Sequence, residues 1–370
     1  MAGAVQDETR RDETVLAGFT DAHVHLGLVD AAAVRAGGVA RVVDLGWDPA
    51  LVAEWVRASR PDPRHAPDAS DAPDASDAPA ALPLIAVAGG LLGAPGGYPS
   101  RAGWAPTAAA VPVADAASGL EAVRTMAALG ARVVKVTVNT DAGPVWDDRL
   151  LATVVGIAHE HGLPVAAHVQ GRGQVERVAA AGVDILAHTP WSERLDDALV
   201  AELAGRTTWI STLDIHGYGR RSRAHRVAVD NLRRFHAAGG DVRYGTDLGN
   251  GPLPVGVNVR ELLALADAGL GAEDLVRALT TGTRGRWEPF PEPDGLTSVL
   301  RGPMPTTSVA EVAAWLAGAR VEQAPEPGPR SRPEPSPEDE TPPSELDTAP
   351  ESGVSPRERW DAPRPNGPDA

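Results

Sequence analysis

Residues 18–27 read GFTDAHVHLG. The run starts apolar and then alternates, as a short half-buried strand does. His23 and His25 stand two apart on it, so on extended backbone both point to one side. This stretch decides between two architectures. An open doubly wound sheet carries a glycine-rich phosphate turn after its first strand, whereas here the first strand ends in two imidazoles. Seven further apolar, β-branched runs follow: ARVVDLG (40–46), LPLIAVAGG (82–90), ARVVKVTVN (131–139), LPVAAHV (163–169), VDILAHT (183–189), TTWISTL (207–213) and DVRYGTDLG (241–249). Helical stretches alternate with them at 48–59, 115–129, 145–161, 171–181, 193–204, 222–238 and 258–280. Eight strands alternating with helices over about 270 residues predict a parallel (β/α)8 TIM-like barrel.

In such a barrel the reactive groups sit at the C-terminal ends of the strands. Strand one ends in His23 and His25, strand four carries Lys135, strand five ends in His168, strand six in His188 and strand eight in Asp247. A lone histidine at a strand end is ordinarily a hydrogen-bonded structural residue, and Asp247 alone could cap a turn. Four histidines at matching strand ends, together with that lysine and aspartate, point jointly to a metal site. The other histidines show the contrast: His159 and His161 end a helix, where imidazolium suits the macrodipole, His225 and His236 lie on a charged helix, and His65 adjoins a repeat.

Lys135 is the single lysine of a chain with 33 arginines. Where only charge is needed the two exchange. Where an amine is needed they do not, because guanidinium stays protonated and is a poor nucleophile. A lysine kept inside an apolar strand is either a packed survivor whose head reaches water or a group doing amine chemistry.

Composition narrows the classes. The 370 residues carry a net charge of −16, which argues against nucleic acid as a partner. With no cysteine, disulfides and thiolate ligands are excluded. The opening MAGAVQDETRRDE lacks the apolar core of a signal peptide, and no run of about 18 apolar residues suggests a membrane span. The expectation is a cytoplasmic protein acting on a small molecule, with no nucleic-acid or membrane partner and its oligomeric state open. Residues 62–80 repeat APDASD and read as a low-complexity surface loop. Residues 321–370 are Pro-, Glu- and Ser-rich and read as a disordered tail. Residues 1–13 read as a disordered N-terminus, leaving 14–320 for the barrel.

The ordered set His-x-His, Lys, His, His, Asp on strands one, four, five, six and eight resembles the metal-dependent amidohydrolase superfamily. GFTDAHVHLG, GARVVKV, AAHVQG, ILAHT and YGTDLGN look like its motifs in order, over roughly residues 14–290. AGGLLGAPGGYP (88–99) is similar to the loop after strand three in the branch with imidazolonepropionase-like and Xaa-Pro dipeptidase-like members. The resemblance implies that His23, His25 and Asp247 bind one divalent metal and His168 and His188 a second. Lys135, carboxylated by CO2, would bridge the two as a carbamate, which arginine cannot form. Histidine and carboxylate ligands suit Zn2+, with Mn2+, Fe2+ or Co2+ as alternatives. The implied activity is hydrolysis of an amide, cyclic amide or related C–N bond by hydroxide that the metals activate, with Asp247 moving the proton.

The alternatives are a mononuclear deaminase-like enzyme using His23, His25, His188 and Asp247, a lactonase or ester hydrolase, and a non-catalytic metal-binding relative. Tyr98, Asn139 and His216 are the candidate substrate-binding residues, among loops that also hold Trp47, Trp104, Trp146, Trp191 and Tyr218. HGYGRRSR (216–223) adds three arginines that could read a substrate carboxylate. Members of that branch carry a small β-sandwich built from both chain ends. Here it is expected to be reduced or absent, with TSVL (297–300) as its remnant and the helix SVAEVAAWLAGAR covering the barrel instead.

Overall fold

A computed structural model describes residues 12–59, 81–291 and 293–323. The predicted loop 62–80 and nearly all of the predicted N-terminal and C-terminal segments lie outside the described residues. The strands are β1 (Glu13–Ala17), β2 (Thr20–Val24), β3 (Arg41–Asp44), β4 (Leu84–Val87), β5 (Leu91–Gly93), β6 (Ala110–Pro112), β7 (Val134–Asn139), β8 (Val165–Gln170), β9 (Ile185–Leu186), β10 (Thr208–Ile210), β11 (Asp241–Arg243), β12 (Leu296–Arg301) and β13 (Arg320–Gln323). All eight predicted strands are among them.

The fold is mixed α/β. A seven-stranded parallel sheet has the order β11-β10-β9-β8-β7-β5-β6, and a three-stranded parallel sheet the order β2-β3-β4. Backbone hydrogen bonds cross between the two. Ala22 N donates to Tyr244 O at 3.0 Å, Asp247 N to His23 O at 2.8 Å and His25 N to Leu248 O at 2.8 Å. At the other side Arg132 N donates to Val87 O at 2.9 Å.

Strand β7 shows how the sequence sets two faces. Val134, Val136 and Val138 are buried in the larger apolar cluster, which also takes in the inward residues of the helices. Lys135, Thr137 and Asn139 alternate with them on the other face, as period-two geometry requires, and are also buried. Beneath that face Val133, Ala166, Ile185, Ala187, Ile210, Ala22, Val43 and Ala86 form a second apolar cluster. The polar side chains of the site therefore stand on a dry floor. Helices begin with side-chain caps where the sequence offers them: Asp115, Asp147, Asp196, Ser222 and Asn258 each accept from a backbone N–H of the first turn.

Two expectations are corrected, and the reduced terminal sheet is found with TSVL inside β12. The predicted helix 258–280 is two helices, Val259–Asp267 and Ala272–Leu279, because Gly269 takes φ +95°, the left-handed conformation that ends a helix. The chain ends are not unstructured up to 13 and from 321: Glu13 opens β1, and β13 extends to Gln323. These strands flank β12 in an antiparallel sheet, β1-β12-β13. A small terminal sheet is thus present beside the helix Val309–Leu316, which packs on Val259–Asp267. Its pairing joins residues far apart in the chain, Glu13 opposite Arg301, a partnership no local pattern announces. The sheet is tied down by Ser298, whose buried hydroxyl accepts from Phe19 N at 2.9 Å. Arg41 also grips Asp294 through Nε and Nη2, both at 2.5 Å. Among the described residues no helix is long and apolar enough to cross a membrane.

Candidate metal centre

His23 lies in β2 and His25 just beyond it, and both are buried. Each imidazole has its Nδ1 against a backbone carbonyl: His23 on Ala187 O at 2.7 Å, His25 on Gly46 O at 3.0 Å. A carbonyl only accepts, so Nδ1 carries the proton in both rings and Nε2 presents a lone pair. Those two Nε2 atoms converge on one oxygen, Asp247 Oδ1, at 3.1 and 3.2 Å. Burial pushes the His23 imidazole well below its ordinary value, with Lys135 adding to the effect. Burial opposes ionisation of Asp247 too, but the neighbouring histidines outweigh it and hold the carboxyl well below the usual range. With both Nδ1 atoms facing carbonyls, the two Nε2 atoms and the carboxylate oxygen are what the three side chains turn towards one another. His23 Nε2 and Asp247 Oδ1 are buried without a hydrogen-bond partner. Such a set repels itself unless a cation sits among its members. The ligating atoms of His23, His25 and Asp247 lie within 4.8 Å of one another, so these residues fit a divalent metal.

Lys135, His168 and His188 complete the cluster. In the β7–β8 register Lys135 stands opposite Ala166 and Thr137 opposite His168. The His188 ring is centred 4.6 Å from His23 and 5.0 Å from His168. Its Nδ1 is paired with Thr212 Oγ1 at 2.9 Å. His168 Nε2 is 3.3 Å from Asn139 Nδ2, and its ring stacks on Tyr98 at 4.5 Å. Lys135 is 1% exposed and its Nζ has no hydrogen-bond partner. Burial pushes its amine down to about 7, with Asp247 and Asp44 pulling the other way. Burial, seconded by Lys135, pushes His168 down to about 3. All six strand-end residues therefore share one buried cluster.

Behind the cluster stand carboxylates that the sequence reading passed over. Asp21 accepts from His23 N at 3.1 Å, Thr246 N at 3.0 Å and Thr246 Oγ1 at 2.5 Å, buckling β2 to the segment that carries Asp247. Asp44 accepts from Leu26 N at 2.8 Å and Gly46 N at 3.0 Å, fixing the carbonyl that orients His25. The signal was an aspartate inside each of two apolar runs, GFTDAHV and ARVVDLG. Glu261 accepts from Leu213 N at 2.9 Å and Asp214 N at 2.7 Å, and Asp214 in turn accepts from Arg260 and Asn258. This frame carries the loop bearing His216 and Tyr218. Thr212 and Asp247 have φ of +43° and +59°. Left-handed backbone at a β-branched residue is costly, and here it lies at the residues that face His188 and His23.

At the rim, His25 packs on Trp104 at 4.6 Å and His188 on Trp191 at 5.4 Å. Trp191 also packs on His216 at 4.7 Å. Asn139 bonds Gln170 and Asp141 as well as His168. Trp146 is buried and donates to Val113 O, a packing role. Of the three arginines after His216, Arg221 pairs with Asp267 at 2.5 Å and Arg223 opens a helix. A cavity of about 400 Å3 lies under the loop 93–100 and meets the cluster only through Tyr98. The chemistry lies in the histidine cluster rather than there, since the cavity has no titratable side chain except Tyr98.

No protein-family model matches the chain, and no curated protein does. Solved structures do. A Xaa-Pro dipeptidase with methionine bound in its active site aligns with a TM-score of 0.62 at 18% identity, over 84% of this chain and 85% of that one. Ochratoxinase from A. niger aligns with a TM-score of 0.60 at 15% identity, over 85% and 84%. Phenylurea hydrolase B aligns with a TM-score of 0.60 at 13% identity, over 84% of each chain. The chain shares its fold with these solved structures. On this scaffold the six clustered residues come from β2 and the residue just beyond it, β7, β8 and the segments after β9 and β11, which the backbone bonds between the two parallel sheets bring together.

Proposed function

We propose that this chain is a metal-dependent hydrolase of a C–N bond in an amide, cyclic amide or related small molecule. The observation that carries the reading is the convergence of His23 Nε2, His25 Nε2 and Asp247 Oδ1 in a buried site, with ligating atoms within 4.8 Å of one another. The solved structures of similar fold include a dipeptidase, ochratoxinase and phenylurea hydrolase B, names compatible with C–N hydrolysis. We read β2, β3, β4, β7, β8, β9, β10 and β11 of the two parallel sheets as one eight-stranded barrel, supported by the backbone bonds that cross at both sides.

His23, His25 and Asp247 would hold one metal, and His168 and His188 a second, with Lys135 between them. Nitrogen and carboxylate donors without thiolate suit Zn2+ best. When bound, such ions lower the pKa of water and polarise a carbonyl. The protein's own residues do the rest. The carbonyls of Ala187 and Gly46 fix the tautomers of His23 and His25, and Thr212 orients the His188 ring. Asp247 turns Oδ1 to the metal position and accepts from Asn250 Nδ2 through Oδ2 at 2.8 Å; this carboxylate would take the proton of the attacking water and return it to the departing nitrogen. The products are a carboxylic acid and an amine. Lys135, neutral in part at physiological pH, attacks CO2 through Nζ and loses a proton, becoming an anion where the cluster otherwise has an amine.

The mononuclear reading has one observation in its favour: only the first three ligands come within 4.8 Å of one another. Elemental analysis after reconstitution with excess Zn2+ and bicarbonate separates the two. Two metals per chain, falling to one in Lys135→Met, Lys135→Arg and Lys135→Ala alike with at least about 100-fold loss of amide hydrolysis, are expected. One metal per chain in the parent protein, or an active Lys135→Arg enzyme with two, overturns the binuclear form.

A further inference from the structure

The rim of the metal centre is aromatic rather than charged. The indole of Trp104 lies over His25 on one side of the cluster, with centroids 4.6 Å apart. On the other side the indole of Trp191 stands edge-on to His188 at 5.4 Å and to His168 at 5.8 Å. Both indoles are only half-buried, so part of each ring stays accessible at the rim. Neither is loose. Trp104 Nε1 donates to Tyr98 OH at 3.1 Å, and Tyr98 stacks on His168 at 4.5 Å with an interplanar angle of 18°. Trp191 is backed by His216 at 4.7 Å. The two walls are therefore preset and cost little ordering when a ligand enters.

The charges that act most on His23, His168 and His188 are those of Lys135, Asp247 and neighbouring histidines. Two nearby cations are paired, Arg221 with Asp267 and Arg260 with Asp214. The ring contacts of His25, His168 and His188 at the rim include the indoles of Trp104 and Trp191.

We propose that the substrate carries a flat aromatic group directly attached to the amide, held between Trp104 and Trp191, and that a free α-carboxylate is not what the site reads. An aryl ring against an indole face adds about 0.5 to 1.5 kcal/mol per contact beyond area burial, so two walls correspond to roughly a tenfold or greater preference. The proposal rests on the hydrolase reading of the same site, and its test separates the two.

The Zn2+-reconstituted full chain is titrated with acetanilide against N-methylacetamide and with benzamide against acetamide, following tryptophan fluorescence and heat. Hydrolysis of the same four compounds is followed in parallel, and N-acetylglycine serves as the carboxylate probe. The expected result is at least about tenfold tighter binding of the aryl member of at least one pair. Trp104→Leu or Trp191→Leu should reduce that ratio to near unity, while Trp→Phe at either position keeps most of it. Binding of N-methylacetamide should be unchanged throughout. Equal affinity for aryl and methyl members in the parent protein overturns the proposal without need of any variant. A ratio untouched by both leucine variants, or tightest binding of N-acetylglycine, overturns it as well. Aryl-selective binding without turnover leaves the proposal standing and removes the hydrolase reading; unselective turnover does the reverse.

Discussion

The two sides of the metal cluster use similar donors but differ in charge. His23 and His25 share an aspartate, whose Oδ1 both imidazoles approach within 3.2 Å. His168 and His188 share a lysine, whose buried amine has no partner. The first side brings its own anion and already holds the geometry of a cation site. The second brings two neutral imidazoles and a cation-forming amine, which would repel a metal. On the proposed reading, the same strand-end positions give a ready site on one side and an unfinished one on the other, and the finishing group would turn Lys135 from an amine into an anion.

The comparison breaks most readily at Asp247. Asp247→Ala removes the anion of the ready side and the proposed proton carrier. Amide hydrolysis by the Zn2+-loaded protein should fall by about 1,000-fold or more, with the first metal lost in elemental analysis; a variant retaining both would refute the assignment of sides.

A smaller effect is expected at Thr212, which touches only His188, through Nδ1 at 2.9 Å. Thr212→Val keeps the branched shape but removes the hydroxyl. Metal affinity at the second site should weaken by about 10- to 100-fold, read by competition with a chelator, while the first site is unchanged. Equal weakening of both sites would show that the two sides are not separable.

The smallest effect lies outside both sides, at Glu261. Burial pushes this carboxyl up to about 7 from an ordinary 4.5, against the pull of its backbone donors. A carboxyl raised on folding contributes stability that is full below its unfolded value and is lost as pH rises through the folded one. Between pH 5 and 7.5 the parent protein should therefore lose stability relative to Glu261→Gln, by about 1 to 3 kcal/mol, seen as a flatter Tm profile in the variant. Parallel profiles would show that Glu261 is ionised throughout.

Much of this was legible in the chain. His23, His25, Lys135, His168, His188 and Asp247 were readable because period-two strands put chemistry at their ends and because a single lysine among arginines stands out. Asp21 and Asp44 were not, since an aspartate that accepts from backbone N–H groups leaves no spacing signal beyond its presence in an apolar run. The sheet β1-β12-β13 was not, because its pairing is non-local and its strands are short. The break at Gly269 was hidden inside an unbroken amphipathic period. Arg221 illustrates a different limit: the sequence shows a cation near the mouth, but only the fold shows Asp267 beside it.

The terminal sheet has a bearing on how the chain is made. Thr14 Oγ1 donates to Gly302 O across 288 residues, and β12 sits between the first strand and the last. During vectorial synthesis, β1 leaves the ribosome long before its partner exists and stays an unpaired edge while the intervening strands emerge. Long-range pairings of this kind close late and leave edges exposed in the meantime. The Arg41–Asp294 clasp, which ties β3 to the turn before β12, can form only at that same final stage. The parallel sheets can thus form before the terminal sheet, whose strands β12 and β13 follow them in the chain.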